Sequence, residues 1–117
     1  MLFLEYPSCG TCKKARAWLV GKNVAFDARH IKDQNPSYEE LKLWQGLSGL
    51  PLKKFFNTNG LLYKSMALKD KLPTMSDEDQ LRLLASDGML VKRPLVILKG
   101  KVLVGFKEKE WEEALLG

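Results

Sequence analysis

The sequence is poor in the residues that build disulfide-linked or metal-bound proteins, with two cysteines and one histidine among 117 residues. Two thiols cannot form the framework of bridges that holds many small secreted domains together. A structural zinc ion needs four ligands, so a zinc site is disfavoured. No apolar run approaches the roughly 18 residues of a membrane span, and the first residues lack the basic and apolar regions of a signal peptide. We therefore expect a cytoplasmic protein that forms a single domain over residues 1–117 and makes no membrane contact.

The charge is also not concentrated in one part of the sequence. Lysine and arginine number 19 against 14 acidic residues, which gives a net charge of +5. The two signs are mixed along the chain, as in residues 107–110, and this is typical of a solvated surface. No helix-turn-helix, zinc-finger or RNA-binding signature is present, so we expect no direct contact with nucleic acid.

The two cysteines, Cys9 and Cys12, lie between an apolar run at residues 2–6 and a basic helical pattern at residues 13–20. A thiol at the start of a helix faces unpaired N–H groups and the positive end of the helix dipole, which lower its pKa. This placement predicts that Cys9 is the nucleophile and that Cys12 resolves the resulting disulfide. The alternative is that both cysteines are buried as small hydrophobic side chains.

The order of predicted elements is βαβ, then helices, then ββα. Gly21 is expected to close the first helix in the left-handed conformation, and two capping boxes, Ser37 with Glu40 and Ser76 with Asp79, are expected in the middle of the chain. This order predicts a thioredoxin-like (glutaredoxin-like) α/β fold with a helical insertion. The elements are a strand at 2–6, a helix at about 10–20, a strand at 24–31, helices within about 36–90, strands at 95–98 and 102–104, and a helix at 108–116.

Two predicted helices carry apolar stripes that would face the core. The first stripe comprises Leu41, Trp44 and Leu47, and the second, in the last helix, comprises Trp111, Leu115 and Leu116.

Arg93 lies directly before Pro94 and the apolar strand at residues 95–98. Proline is the residue that most readily follows a cis peptide bond, and such a bond would present Arg93 to the thiol. The guanidinium would then stabilise a thiolate or bind an oxyanion through its planar fork. The alternative, a solvated arginine before a proline that begins a strand, is equally consistent with the sequence.

These motifs resemble those of the glutaredoxin-type arsenate reductase and Spx family (ArsC/Spx/MgsR-like proteins). The similar segments are residues 6–16, which include both cysteines, residues 92–95, which carry an Arg-Pro signature, and the closing motif at residues 104–106. The similarity extends from Leu2 to about Leu115. It implies a thioredoxin-like fold with a helical insertion.

The resemblance implies a thiol-dependent reductase. Arsenate reductases of this type attack arsenate with one cysteine, which matches Cys9, and glutathione and glutaredoxin complete the reduction. Three arginines hold the oxyanion in those enzymes. Arg93 matches one of them, whereas the other two positions fall at Asn57 and at or beside Phe106. Together with the placement of the CxxC motif, the resemblance favours a redox pair of Cys9 and Cys12 assisted by Arg93. We expect no bound cofactor, and glutathione, glutaredoxin or thioredoxin as cosubstrate.

The Spx branch of the family implies a different function. Its members use a Cys-x-x-Cys switch and bind the C-terminal domain of the RNA polymerase α subunit. The dithiol and the Arg-Pro match fit this branch, whereas the insertion at residues 53–63 is closer to that of the reductases. The sequence thus predicts a thiol–disulfide oxidoreductase, with a redox-sensing transcription regulator as the alternative.

Overall fold

The chain folds around a four-stranded mixed sheet, and the computed structural model describes all 117 residues. The strands are β1 (Leu2–Glu5), β2 (Asp27–His30), β3 (Leu95–Leu98) and β4 (Lys101–Val104). The α-helices are α1 (Gly10–Gly21), α2 (Tyr38–Ser48), α3 (Leu61–Ser65), α4 (Leu68–Lys71), α5 (Asp77–Ser86) and α6 (Glu108–Leu116). Short 3-10 segments cover Leu52–Phe55, Leu72–Thr74 and Gly88–Leu90.

The sheet has the strand order β2-β1-β3-β4. β1 and β2 are parallel and are joined through α1, whereas β3 is antiparallel to both β1 and β4. All helices between β2 and β3 belong to the insertion, and α6 follows β4. The predicted thioredoxin-like order of βαβ and ββα halves with a helical insertion is confirmed.

The two faces of the sheet bury separate hydrophobic clusters because successive strand residues point to opposite sides. Leu4 and Leu95 face the insertion, whereas Phe3 and Val96 face α1 and α6. The larger cluster contains 16 buried residues and the smaller contains 6. The insertion therefore supplies most of the larger cluster instead of forming a separate appendage.

The end of α1 differs from the prediction. Gly21 is the last helical residue, and Asn23 instead takes the left-handed conformation with φ of 57°. Asparagine tolerates this region because its short polar side chain forms local hydrogen bonds. The N–H of Val24 donates to the carbonyl of Leu19 at 3.0 Å, so the turn at Asn23 closes the end of α1. β2 begins only at Asp27 and is shorter than the predicted strand at 24–31.

The predicted caps of the insertion helices are present in two different forms. Ser37 and Glu40 form the expected reciprocal capping box at the start of α2. Ser76 accepts the N–H of Asp79 at 3.1 Å, but no reciprocal bond forms. Capping boxes use Glu or Gln at this position, and aspartate is one methylene shorter. The second predicted box is therefore a simple N-cap.

Two leucines that were expected to face the core are exposed. Leu47 is 41% exposed and Leu116 is 46% exposed, whereas Trp44 and Trp111 are buried. At 100° per residue, Leu47 lies ~120° around α2 from Leu41, beyond the buried stripe. Leu116 lies ~140° around α6 from Trp111. The buried stripes of both helices are therefore narrower than predicted.

A short backbone bridge brings two distant segments of the insertion together. Phe56 pairs with Val91, and the N–H of Asn57 donates to Leu90 at 2.8 Å. The N–H of Lys92 donates to Phe55 at 2.7 Å. The bridge therefore holds the segment at 55–57 beside the segment that leads into β3. None of the helices is long and apolar enough to cross a membrane.

Gly88→Ala is expected to destabilise the protein by roughly 1–3 kcal/mol or more, because overpacking forces the backbone to move. A Cβ at Gly88 would lie 1.9 Å from the carbonyl oxygen of Ile31. Gly46→Ala is the matched control, since nothing lies within 4 Å of a Cβ there. Because Gly46 is inside α2, its substitution should stabilise the protein by about 1 kcal/mol. Urea unfolding measures both changes, and equal effects would contradict the close approach.

Candidate active site

Cys9 occupies the N-cap position of α1, with the extended backbone angles φ −76° and ψ 126°. Its N–H donates to Tyr6 at 2.9 Å, and its carbonyl accepts the N–H of Lys13 at 3.0 Å. These bonds fix the turn between β1 and α1. The thiol is half-buried, so it remains accessible at the start of the helix.

The electrostatic surroundings of Cys9 favour the thiolate. Burial alone raises the pKa of this thiol, but interactions with the N–H and thiol of Cys12, the N–H of Thr11 and the guanidinium of Arg93 outweigh it. The pKa of Cys9 is therefore lower than its ordinary value. The two N–H groups are the donors that a helix N-terminus supplies to an anion. The thiol of Cys12 and the guanidinium of Arg93 are added as side-chain donors.

Cys12 has the opposite character. It is fully buried, and its sulfur accepts the N–H of Tyr6 at 3.5 Å. Burial and the neighbouring Cys9 together raise the pKa of Cys12 to about 12, although the Tyr6 N–H acts in the other direction. Cys12 therefore remains a thiol at neutral pH. The two cysteines do not act as equivalent hydrophobic side chains, because one favours the anion and the other the neutral form.

Arg93 lies beside Cys9 and is half-buried, at the start of a cis peptide bond to Pro94. Its guanidinium lies over the ring of Tyr6 at 5.3 Å, and Nη1 donates to Met89 at 3.3 Å. With its amide oxygen turned toward the guanidinium, Asn57 accepts from Nη1 and Nη2 at 3.2 and 3.3 Å. Arg93 Nε is buried without a hydrogen-bond partner. Of the two interpretations of Arg93, the structure agrees with the one that places it next to the thiol.

Cys9, Asn57 and Arg93 line one cleft of about 770 Å³. No aspartate or glutamate is among its lining residues, whereas three cationic side chains are. Such a cleft favours anionic groups next to the Cys9 sulfur. The lining residues are Cys9, Thr11, Asn57, Asn59, Gly60, Leu61, Leu62, Met89, Lys92, Arg93, Val104, Gly105, Phe106 and Lys107.

Both positions at which the resemblance places further arginines lie in this cleft. Asn57 contacts Arg93 and carries no charge, and Phe106 adds an aromatic wall. Phe106 is held by edge-to-face contact with Trp111, at a centroid distance of 4.8 Å. Trp111 Nε1 in turn donates to Gly105 at 3.0 Å, which fixes the turn after β4. The cleft therefore contains one guanidinium instead of three.

Sequence reasoning did not identify Lys92 and Lys107 as site residues. Lys92 adjoins Arg93, and Lys107 directly follows the closing motif at residues 104–106. Proximity to these motifs was the available signal. We interpreted the charged run at 107–110 as a solvated surface and therefore did not assign Lys107 to the site, although it lines the cleft.

An ion pair between a buried carboxylate on β1 and an exposed guanidinium on α1 connects the helix to the sheet. The Glu5 carboxylate is buried on β1 and forms a two-pronged salt bridge with Arg16 of α1. Arg16 also lies over the ring of Phe26 at 5.4 Å. Because the pair joins β1 to the middle of α1, it holds the helix that begins at Cys9 against the strand that precedes it.

Alkylation is expected to distinguish the two thiols. Cys9 should react with iodoacetamide at neutral pH, whereas Cys12 should react only after unfolding, because thiolate is the reactive form. Arg93→Gln removes a positive charge that lowers the pKa of Cys9, so the labelling curve should move to higher pH. Arg82→Gln removes an exposed guanidinium paired with Glu78 and is the control. Mass spectrometry locates the label, and an unchanged curve for Arg93→Gln would contradict the assigned contact.

The raised pKa of Cys12 also predicts a loss of stability at high pH. Below the ordinary thiol pKa of 9.0 both the folded and the unfolded chain hold this proton. At higher pH the unfolded chain releases it first, so the free energy of unfolding falls until about pH 12. Under reducing conditions, wild type should lose about 2 kcal/mol more than Cys12→Ala between roughly pH 8.5 and 10.5. The free energy of unfolding is measured by urea unfolding at each pH. The same pH dependence for the two proteins would contradict the raised pKa of Cys12.

A model of the ArsC family matches residues 4–114. The protein YusI of Bacillus subtilis (strain 168) is 54% identical to this chain, over 97% of the chain and 96% of that protein. The regulatory protein MgsR of the same organism is 28% identical, over 94% of the chain and 86% of that protein. The global transcriptional regulator Spx of Streptococcus agalactiae is 32% identical, over 93% of the chain and 77% of that protein.

Solved structures show the same similarity. The crystal structure of an ArsC-family-related protein from Bacteroides fragilis is 58% identical, has a TM-score of 0.94, and covers 96% of this chain and 94% of its own. The arsenate reductase from Vibrio cholerae is 25% identical, has a TM-score of 0.78, and covers 99% of this chain and 96% of its own. The match extends over nearly the whole chain in sequence and in fold, and the protein therefore belongs to the ArsC family.

Proposed function

We propose that the protein is a cytoplasmic thiol–disulfide oxidoreductase that uses the Cys9–Cys12 pair. The Cys9 thiolate attacks one sulfur of a substrate disulfide, which forms a mixed disulfide and releases the other sulfur as a thiolate. Cys12 then loses its proton and attacks the sulfur of Cys9. This step releases the second substrate thiol and leaves a Cys9–Cys12 disulfide, so two electrons pass from the protein to the substrate.

The observation that carries this proposal is the difference between the two thiols. Cys9 is accessible with a lowered pKa, and Cys12 is buried beside it with a pKa raised to about 12. An accessible low-pKa thiol is the better nucleophile, while the buried thiol stays protonated until a mixed disulfide has formed next to it. Arg93 would stabilise the thiolate and any anionic leaving group in the cleft.

The cleft supports disulfide chemistry better than reduction of inorganic arsenate. Arg93 is the one guanidinium there, and Asn57 and Phe106 occupy the other two positions. Each missing charge-assisted hydrogen bond is worth roughly 1.5–3 kcal/mol. Glutathione, glutaredoxin or thioredoxin would return the electrons by reducing the Cys9–Cys12 disulfide, and no bound cofactor is needed for this cycle.

The second candidate is a redox-sensing regulator, which the named relatives favour. MgsR and Spx are described as regulators, and they match 94% and 93% of this chain. In this role the Cys9–Cys12 disulfide would form without turnover and would change binding to the RNA polymerase α subunit. Stable capture of the α C-terminal domain by the oxidised protein, without disulfide turnover, would favour the regulator.

A coupled assay separates these functions. Wild type, Cys9→Ser, Cys12→Ser and the control Ser8→Ala receive either arsenate or hydroxyethyl disulfide, with electrons from glutathione and glutaredoxin or from thioredoxin. We expect turnover of the disulfide by wild type and Ser8→Ala, and background rates for Cys9→Ser. Cys12→Ser should accumulate the mixed disulfide on Cys9, which mass spectrometry detects.

Arg93→Gln should slow disulfide turnover by roughly 10- to 100-fold, since one charge-assisted hydrogen bond is lost. Full activity of Cys9→Ser would exclude the proposed nucleophile. Rapid turnover of arsenate by wild type would show that Arg93 and the start of α1 suffice as an oxyanion site. No turnover of either substrate would leave the regulator as the better account.

A further inference from the structure

A second groove adjoins the thiol cleft and carries most of the positive charge in this part of the surface. Its volume is about 410 Å³, and its lining includes Lys53, Lys54, Lys92 and Lys107. Lys92, Lys107 and Val104 line both the groove and the cleft, so the two form one continuous depression. We name this second part the lysine groove.

The charge of the lysine groove is not neutralised within the molecule. No aspartate or glutamate lines the groove or the cleft, although the chain contains 14 acidic residues. The four salt bridges of the structure involve Arg16, Arg29, His30 and Arg82, and none involves a groove lysine. With Arg93, the depression therefore presents five unpaired positive charges. Such a field attracts a negatively charged partner and raises its association rate.

The backbone under these lysines is held in place. Lys53 and Lys54 belong to the 3-10 segment Leu52–Phe55, whose Phe55 is fully buried and accepts the N–H of Lys92 at 2.7 Å. The carbonyl of Lys107 accepts the N–H of Trp111 at 2.9 Å at the start of α6. The backbone positions of these lysines are therefore fixed before a partner binds, which lowers the entropy lost on binding.

The groove leads to Cys9, and this connection distinguishes a polypeptide from a nucleic acid. Thiol–disulfide exchange needs a sulfur atom on the partner, which a nucleic acid lacks and a cysteine-containing segment supplies. Leu61, which lines the same cleft as Cys9, is 87% exposed and offers an apolar contact to a side chain of such a segment.

We propose that the lysine groove binds an acidic polypeptide segment and thereby selects proteins whose exchangeable cysteine is flanked on one side by aspartate or glutamate. This inference rests on the proposed function and specifies its substrate class. The partner's disulfide is the oxidant, and the Cys9–Cys12 dithiol supplies the two electrons as described above. The acidic flank occupies the groove while the partner's sulfur lies against Cys9.

The test uses three synthetic peptides, each with one cysteine in a disulfide with the same neutral reporter thiol. Four glutamates, four glutamines or four lysines lie on one side of that cysteine. Release of the reporter thiol by the reduced protein gives the exchange rate. We expect a glutamate-to-glutamine rate ratio of about 10 at low ionic strength. The ratio should approach 1 in ~1 M salt, where the Debye length is only ~3 Å.

Charge-reversal variants test whether the preference for the glutamate peptide depends on the lysine groove. The double variant Lys53→Glu/Lys54→Glu should bring the ratio to about 1 or below, because the groove then contains as many carboxylates as remaining lysines. The matched control is Lys22→Glu/Lys99→Glu, which changes the net charge equally at exposed positions outside the groove. Its ratio should stay within about twofold of wild type. Thermal unfolding of both variants verifies that each is folded.

Equal rates for the glutamate and glutamine peptides at low salt would overturn the inference but not the proposed function, because the glutamine peptide still exchanges. A ratio that falls equally in both double variants would also overturn it, since net charge alone would explain the preference. Tighter binding of a short single-stranded oligonucleotide than of the glutamate peptide, dependent on Lys53 and Lys54, would assign the groove to nucleic acid instead. Failure of all three peptides and of hydroxyethyl disulfide would overturn the proposed function together with the inference.

Discussion

The antiparallel pairing of β1 with β3 is the constraint on which the site depends. Leu4 lies opposite Leu95, so the end of β1 and the start of β3 meet at the same edge of the sheet. Cys9 follows β1, and Arg93 precedes β3, although most of the chain separates them in sequence. β4 is antiparallel to β3 and therefore returns to this edge, where Gly105 donates to Pro94 at 2.9 Å. One strand register thus places the thiol, the guanidinium and the turn after β4 together.

The helical insertion then determines the chemistry of this edge. The bridge between Phe56 and Val91 places Asn57 against Arg93, where it accepts hydrogen bonds without adding charge. The adjacent segment contributes Lys53 and Lys54 to the neighbouring groove. The cations of the insertion, Lys53 and Lys54, therefore lie in the groove beside the Cys9 cleft and not in the cleft itself. This distribution favours recognition of an extended anionic partner over enclosure of a small oxyanion.

Features encoded by short segments were predictable from the sequence. The strand, the CxxC turn and α1 follow from residues close together in the chain, and so do the capping box of Ser37 and the terminal helix. The choice of Asn23 over Gly21 for the left-handed residue was not predictable from composition, because it depends on how far α1 extends. The contacts of Arg93 with Tyr6, Met89 and Asn57 also required the fold, since three separate segments supply them.

The difference in pKa and burial between Cys9 and Cys12 is relevant to both proposed functions, the oxidoreductase and the regulator. In either proposed function, a buried Cys12 with a high pKa next to an accessible Cys9 would make disulfide formation directional, whether the disulfide is an intermediate or a signal. The CxxC turn is therefore compatible with both branches of the family, and the distinction must come from surfaces around it. Here those surfaces are a cleft with one guanidinium and a groove with four lysines. In our proposal both features would select the partner that reaches Cys9, and neither would change the thiol chemistry itself.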